Sequence, residues 1–181
     1  MRQISIVSLS FRASGGIAMS QEFGMEKIFF QLPDGEWHGA RSESLWAQKI
    51  NLSHDRVIYK IDNIPFYTKS VSLNDLVLGS ENKEWGGVEF TSIVEHSGNS
   101  TYRIITIPKN FLSDWPSLEK LGCCYESSAI DERKIYAVNV PAESDIQQIY
   151  GILENGEILS KWIFEEGYFG HREIKNSDKL T

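Results

Sequence analysis

The sequence predicts an α+β fold: a small curved β-sheet or barrel in the N-terminal half, followed by a ferredoxin-like β-α-β-β-α-β unit. Three observations predict it. From Glu26 to Glu95, short apolar runs recur between turn signals with the period of strands. From Thr101 onward, segments of helical period alternate with strand-like ones. The chain has 181 residues, 41% of them hydrophobic and 24% charged, which is the size and composition of one ordinary domain or two small ones packed together. The longest apolar run is a few residues, against the roughly 18 needed to cross a bilayer, so no membrane helix is expected.

The elements follow in order. Residues 1–24 read as a tail or an upstream extension, because the apolar stretch Ile4 to Phe11 is broken by Ser8 and Ser10 and suits a secretory signal poorly, a weak signal peptide being the lesser alternative. A short strand at Ile4 to Ser10 is a further option there. Residues 25–100 form the β-rich part. Its first strand, Lys27 to Leu32, precedes the turn Pro33-Asp34-Gly35. Further strands are expected at Glu43 to Ile50, Arg56 to Asp62, Pro65 to Val71, Asp75 to Leu78 and Gly87 to Glu95. In Arg56 to Asp62, Val57, Tyr59 and Ile61 share one face, the alternation of a half-buried strand.

Residues 101–171 form the mixed part. Thr101 to Ile107 reads as a strand, and Phe111 to Leu121 as a helix with Phe111, Trp115, Leu118 and Leu121 on one side and Gly122 to end it. Cys123 to Ser127 and Lys134 to Val140 pair as a hairpin. Ser144 and Gln147 then have the spacing of a capping box, ahead of a helix carried by Ile146, Ile149, Tyr150 and Leu153 and closed by Gly156. A last strand, Lys161 to Glu166, completes the unit, with both helices on one face of the sheet. Residues 172–181 read as a polar tail.

Eighteen basic and 25 acidic residues give a net charge of -7. The imbalance belongs to the C-terminal part: residues 1–111 hold 11 basic and 12 acidic side chains, residues 112–181 hold 7 and 13. No cluster of Lys and Arg offers a phosphate-binding surface, so direct nucleic-acid binding is disfavoured. An acidic face suits a basic partner, although it also serves solubility. The two cysteines, Cys123 and Cys124, are adjacent and span too little chain to staple a fold, which favours reduced thiols and a cytoplasmic location.

From about Glu26 to His171, several blocks occur in order: Ser44-Leu45-Trp46-Ala47, Tyr59 to Phe66 followed by Asp75-Leu76-Val77, and Glu95 to Arg103. Leu118 to Gly122, Val138 to Pro141 and Glu165 to His171 continue them. On these residues the chain resembles the bacterial domain-of-unknown-function family 4265. The resemblance implies a small soluble bacterial protein without an established activity. Some proteins of this general type resemble immunity proteins paired with toxins, an association drawn from the type of protein and not from a matched motif.

Three groups of residues carry candidate chemistry. His96, Ser97 and Arg103 gather a base, a nucleophile and an anion stabiliser, although no third, orienting residue is identifiable and a polar hairpin accounts for the same composition. The histidines His38, His54, His96 and His171 are scattered, and Asp34, Glu36 and His38 alternate around a turn, so neither a metal nor a cofactor is expected. Glu143, Asp145, Glu154, Glu157, Glu165, Glu166, Tyr168 and Phe169 are candidate partner-binding residues, acids bordering aromatic rings. Trp162 and Phe164 alternate as core residues do, and Glu165 and Glu166, being adjacent, face opposite sides of a strand. The resulting expectation is an immunity or antitoxin-like inhibitor that covers the active site of a cognate basic toxin, such as a nuclease, with C-terminal carboxylates in place of substrate phosphates. Alternatives are an enzyme using His96 and Arg103, or a regulatory module with a small ligand between the two parts.

Overall fold

The computed structural model describes residues 24–51, 57–84, 86–106, 108–130 and 133–171. Two sheets and two helices make a mixed α+β architecture. Strands β1 (Met25–Gln31), β2 (Ser42–Asn51), β3 (Val57–Ile61), β4 (Leu76–Asn82) and β5 (Gly87–Glu95) close a barrel. Consecutive strands run antiparallel, and β1 meets β5 in parallel at Ile28 and Phe29, as an odd-numbered meander must on closing. Alternation fills the interior with Ile28, Phe30, Leu45, Ala47, Tyr59, Ile61, Val77 and Val88. Gly79 is indispensable at the tightest approach: a Cβ there would stand 2.3 Å from Val88 Cγ1, beside one of two register shifts in the β4–β5 ladder.

The second sheet consists of β6 (Ser100–Thr106), β7 (Cys124–Ile130), β8 (Arg133–Val140) and β9 (Trp162–Tyr168), in the antiparallel order β7-β8-β6-β9. Helices α1 (Pro108–Glu119) and α2 (Ile146–Ile158) lie on one face of it. There Phe111 and Leu118 of α1 and Ile149 and Leu153 of α2 pack with Tyr102, Ile104, Tyr136, Val138, Val140 and Trp162. Among the described residues, no helix is long and apolar enough to cross a membrane.

The opposite face is covered by the chain's own segment between β3 and β4, where Ile64 and Phe66 pack on Ile135 and Ala137. This segment corrects the strand expected at Pro65 to Val71. Its backbone amides do not enter a ladder, because those of Phe66, Tyr67 and Thr68 donate to the carboxylate of Glu43 at 2.6, 3.0 and 2.7 Å. A buried acid thus replaces a neighbouring strand as the acceptor.

Other departures are local. The first helix begins at Pro108, three residues before the expected start; proline suits a first helical position because its missing N–H had no partner to find. Asp145, not Ser144, caps α2, accepting from the amides of Gln147 and Gln148, while Ser144 Oγ donates to Leu121 O at 2.8 Å. Gly156 lies inside α2 and not beyond its end. The expectations for residues 1–23 and 172–181, and for His54, Arg56 and Ile107, fall outside the described residues.

Candidate functional site

The polar blocks of the sequence converge where the barrel meets the second sheet. Asp75, wholly buried before β4, accepts from Ser72 N and Ser97 N at 3.0 and 2.7 Å and from Ser72 Oγ at 3.2 Å. With both its oxygens acting as acceptors, it takes a further bond from His96 Nδ1 at 3.0 Å. Nδ1 is therefore the donor of this bond, and the ring itself is exposed. The Tyr168 ring stacks on His96 at 4.9 Å and 22°. Asp75 is the orienting carboxylate that sequence reasoning found no sign of, although it stands in the quoted block Asp75-Leu76-Val77.

Ser97 does not complete a nucleophile–base pair with this histidine. Its Oγ donates to Leu73 O at 2.9 Å and accepts from Asn99 N at 3.2 Å. A second histidine takes a serine instead: His171 Nε2 donates to Pro141 O at 3.0 Å, and its Nδ1 shares a hydrogen bond with Ser100 Oγ at 2.7 Å. Ser100 is wholly buried and also accepts from Gly170 N, which makes the pair a clasp between the start of β6 and the chain leaving β9.

Arg103 is separated from His96 by its environment. It is wholly buried on the opposite face of β6 from Tyr102, donating from Nη1 to Glu165 Oε1 at 2.8 Å and from Nη2 to Thr68 O at 2.6 Å. A guanidinium closed off from solvent cannot meet a substrate anion, so the expected role of Arg103 gives way to a structural one. Trp37 Nε1 reaches the same Glu165 oxygen at 3.3 Å.

Around this pair the electrostatics are those of a partly dry seam. Burial pushes the Glu43 carboxyl up, opposed by the amides of Thr68, Phe66 and Tyr67 and by the charge of Arg103. Burial pulls His38 below its ordinary value, chiefly against the attraction of Glu36. His38 Nδ1 accepts from Ala40 N at 3.1 Å, leaving a buried Nε2 that has no partner among the described residues. Glu36 is lowered by its hydrogen bond from Lys69. A cavity of about 430 Å³ opens here between His38, Ser42, Glu43, Phe66, Tyr67 and Ser128. No group of three or more His, Cys, Asp or Glu side chains is arranged to hold a metal ion among the described residues.

The candidate partner-binding residues do not form one surface. Glu165 belongs to the Arg103 pair and Tyr168 to the His96 stack, while Asp145 caps α2 with Glu143 exposed nearby. Glu154, Glu157 and Glu166 remain together on the flank where α2 runs beside β9. Tyr150, Glu154 and Glu157 repeat at helical spacing, Tyr150 lies 5.7 Å from Phe164, and Glu157 Oε1 accepts from Phe164 N at 3.3 Å. Glu166 pairs in register with Tyr102 on the same face of the sheet, opposite the face of Glu165. Exposed Ile158 and Leu159 border this flank at the end of α2, Ile163 is exposed on the other face of β9 with Glu165, and Phe169 is exposed beyond the strand. Trp162 is buried and Phe164 half-buried against the helix-side core, as their alternation predicts.

Comparison with known proteins adds a family and a fold. A family model described as a domain of unknown function, DUF4265, matches residues 43–163. No curated protein matches the chain. A crystal structure of a hypothetical protein from Neisseria gonorrhoeae is similar, with a TM-score of 0.58 and 17% identity over 84% of this chain and 99% of that one. At that identity the likeness speaks for the fold alone.

Proposed function

The chain belongs to the DUF4265 family of domains of unknown function, and from that premise we propose that it works by binding a basic protein. The observation that carries this reading is the α2–β9 flank. Glu154, Glu157 and Glu166 are exposed there, none is paired with a lysine or arginine among the described residues, and they rim the rings of Tyr150 and Phe164. An acidic rim around an apolar centre steers a basic partner and gives it something to bury.

Within that class, the partner is a toxin, such as a nuclease, whose basic active site the carboxylates cover in place of substrate phosphates; the protein is its immunity-type inhibitor. The free, adjacent thiols suit the reducing cytoplasm of the producing cell. The same reading treats residues 25–100 and 101–171 as two units, the second ferredoxin-like. Its support is the strand order with β6 and β8 central and both helices on one face.

The test is binding to, and rescue from, the product of the adjacent gene. Wild-type protein should hold that product at low salt and weaken as salt rises, while joint reversal of Glu154, Glu157 and Glu166 to lysine abolishes both binding and rescue of growth. If a neighbouring toxin is neither bound nor neutralised, or if the triple reversal protects as well as wild type, the inhibitor reading falls.

A further inference from the structure

β9 is the last strand of its sheet: among the described residues it pairs with β6 and with no strand on its other side. The amide of Phe164 faces away from β6, since it donates to the Glu157 carboxylate on α2. By the alternation of an antiparallel ladder, the backbone groups of Trp162 and Glu166 face outward as well. At 3.3 Å the bond from Phe164 is longer than the usual amide hydrogen bond, and a side chain that caps an edge in this way can be displaced by a backbone carbonyl.

Sheet edges left open are templates for another chain and are normally blunted. This one is seven residues long, and apolar side chains stand beside it: Ile163 is 55% exposed, with Ile158 and Leu159 at 73% and 57% in the approach from α2. Resting on the binding reading above, we infer that β9 receives an extended segment of the basic partner as a fifth strand. Backbone hydrogen bonds supply its register, and lysines or arginines alternating with apolar residues meet Glu154, Glu157 and Glu166. Charge decides against a second copy as the occupant, because β9 laid against its own counterpart brings like carboxylates together.

The experiment uses the full chain and a capped eight-residue peptide of alternating lysine and valine, with a control of equal charge in which proline replaces valine. Amide exchange at Phe164 and Glu166 is followed by NMR beside the dissociation constant. Saturation with the lysine–valine peptide should slow exchange at Phe164 at least about tenfold, and the proline peptide should bind at least about tenfold more weakly. Ile163→Lys should weaken binding by a similar factor, whereas Leu112→Lys, an exposed apolar position on α1, should leave it unchanged.

Equal binding of the two peptides, or unchanged exchange at Phe164, overturns strand addition. So does an edge already occupied before any peptide is added, read as Phe164 exchange that is no faster in the free chain than in the peptide-saturated one, and so does a dimer in sedimentation. If the triple glutamate reversal abolishes binding of the natural partner while Ile163→Lys does not, the acidic surface stands and the edge-strand mode alone is refuted.

Discussion

Arg103 and Glu165 form an ion pair at 2.8 Å in which the guanidinium is wholly buried and the carboxylate side chain is about a third exposed. Removing one partner of such a pair leaves a charge without compensation in a dry site. Glu165→Ala is therefore expected to cost about 3–5 kcal/mol in urea unfolding, whereas the double change Arg103→Met with Glu165→Leu should cost much less. Equal losses in the single and double variants would show that the pair is not what holds β6 to the segment carrying Thr68.

Glu43 organises that segment from the other side. Its two oxygens satisfy three consecutive backbone amides, so Glu43→Ala orphans all of them where solvent has poor access. At roughly 1–3 kcal/mol for each buried donor left unmet, the variant should lose at least about 3 kcal/mol. Glu43→Gln keeps one acceptor oxygen and should lose less. Hydrogen exchange at Phe66 and Thr68 distinguishes local from global loss: both amides should become fast in Glu43→Ala even below the unfolding transition.

These two acids also mark where the sequence is legible and where it is not. Period-two alternation announces β1, β2, β3 and β5 because each strand presents one face to the barrel interior, and the turn residues between them punctuate clearly. Pro65 to Val71 has strand-like composition too, yet its amides are taken by Glu43 more than twenty residues earlier in the chain, a partnership that no local pattern encodes. Arg103 illustrates the same limit at the candidate site. Its position among His96, Ser97 and Asn99 suggested chemistry in common, but one step along a strand turns a side chain to the opposite face, and β6 sends Arg103 into the seam with Thr68 and Glu165. Asp75 went unseen for the converse reason: it lies 21 residues from His96 and meets it only because β4 and β5 pair.

His38 gives the seam a pH dependence of definite sign. Burial is the largest influence and lowers its pKa from 6.5; Glu36 and Glu165 pull it up, while Arg103 and Lys69 push it down. Above about pH 6.5 the ring is neutral in both the folded and unfolded chain, and the full stability is present. As pH falls below that value the unfolded chain takes the proton first, so stability is lost down to the folded pKa. His38→Asn, which offers an oxygen to the Ala40 amide without titrating, should flatten the slope of melting temperature against pH between 7 and 5. An unchanged slope would assign the acid sensitivity to other groups.

Two glycines on α2 should respond to the same substitution with opposite signs. Ordinarily, replacing glycine by alanine inside a helix gains about 0.5–1 kcal/mol, because the more flexible residue loses more entropy on folding. At Gly151 nothing lies within 4 Å of the position a Cβ would take, so Gly151→Ala should gain about that amount. At Gly156 the same atom would stand 1.8 Å from Trp162 Cζ2 and 2.1 Å from Cε2. The tryptophan cannot easily yield, since its Nε1 donates to Leu153 O at 3.0 Å and its ring packs near Phe111 in the core. Gly156→Ala is expected to lose about 1–3 kcal/mol or more by overpacking, and Trp162→Phe, which shortens the ring, should recover part of that loss in the double variant although it is destabilising alone. Chemical denaturation of the four proteins, with tryptophan fluorescence replaced by circular dichroism where Trp162 is changed, measures the coupling. Additive losses would mean that α2 has moved away from β9 and that the contact does not fix the helix on the sheet.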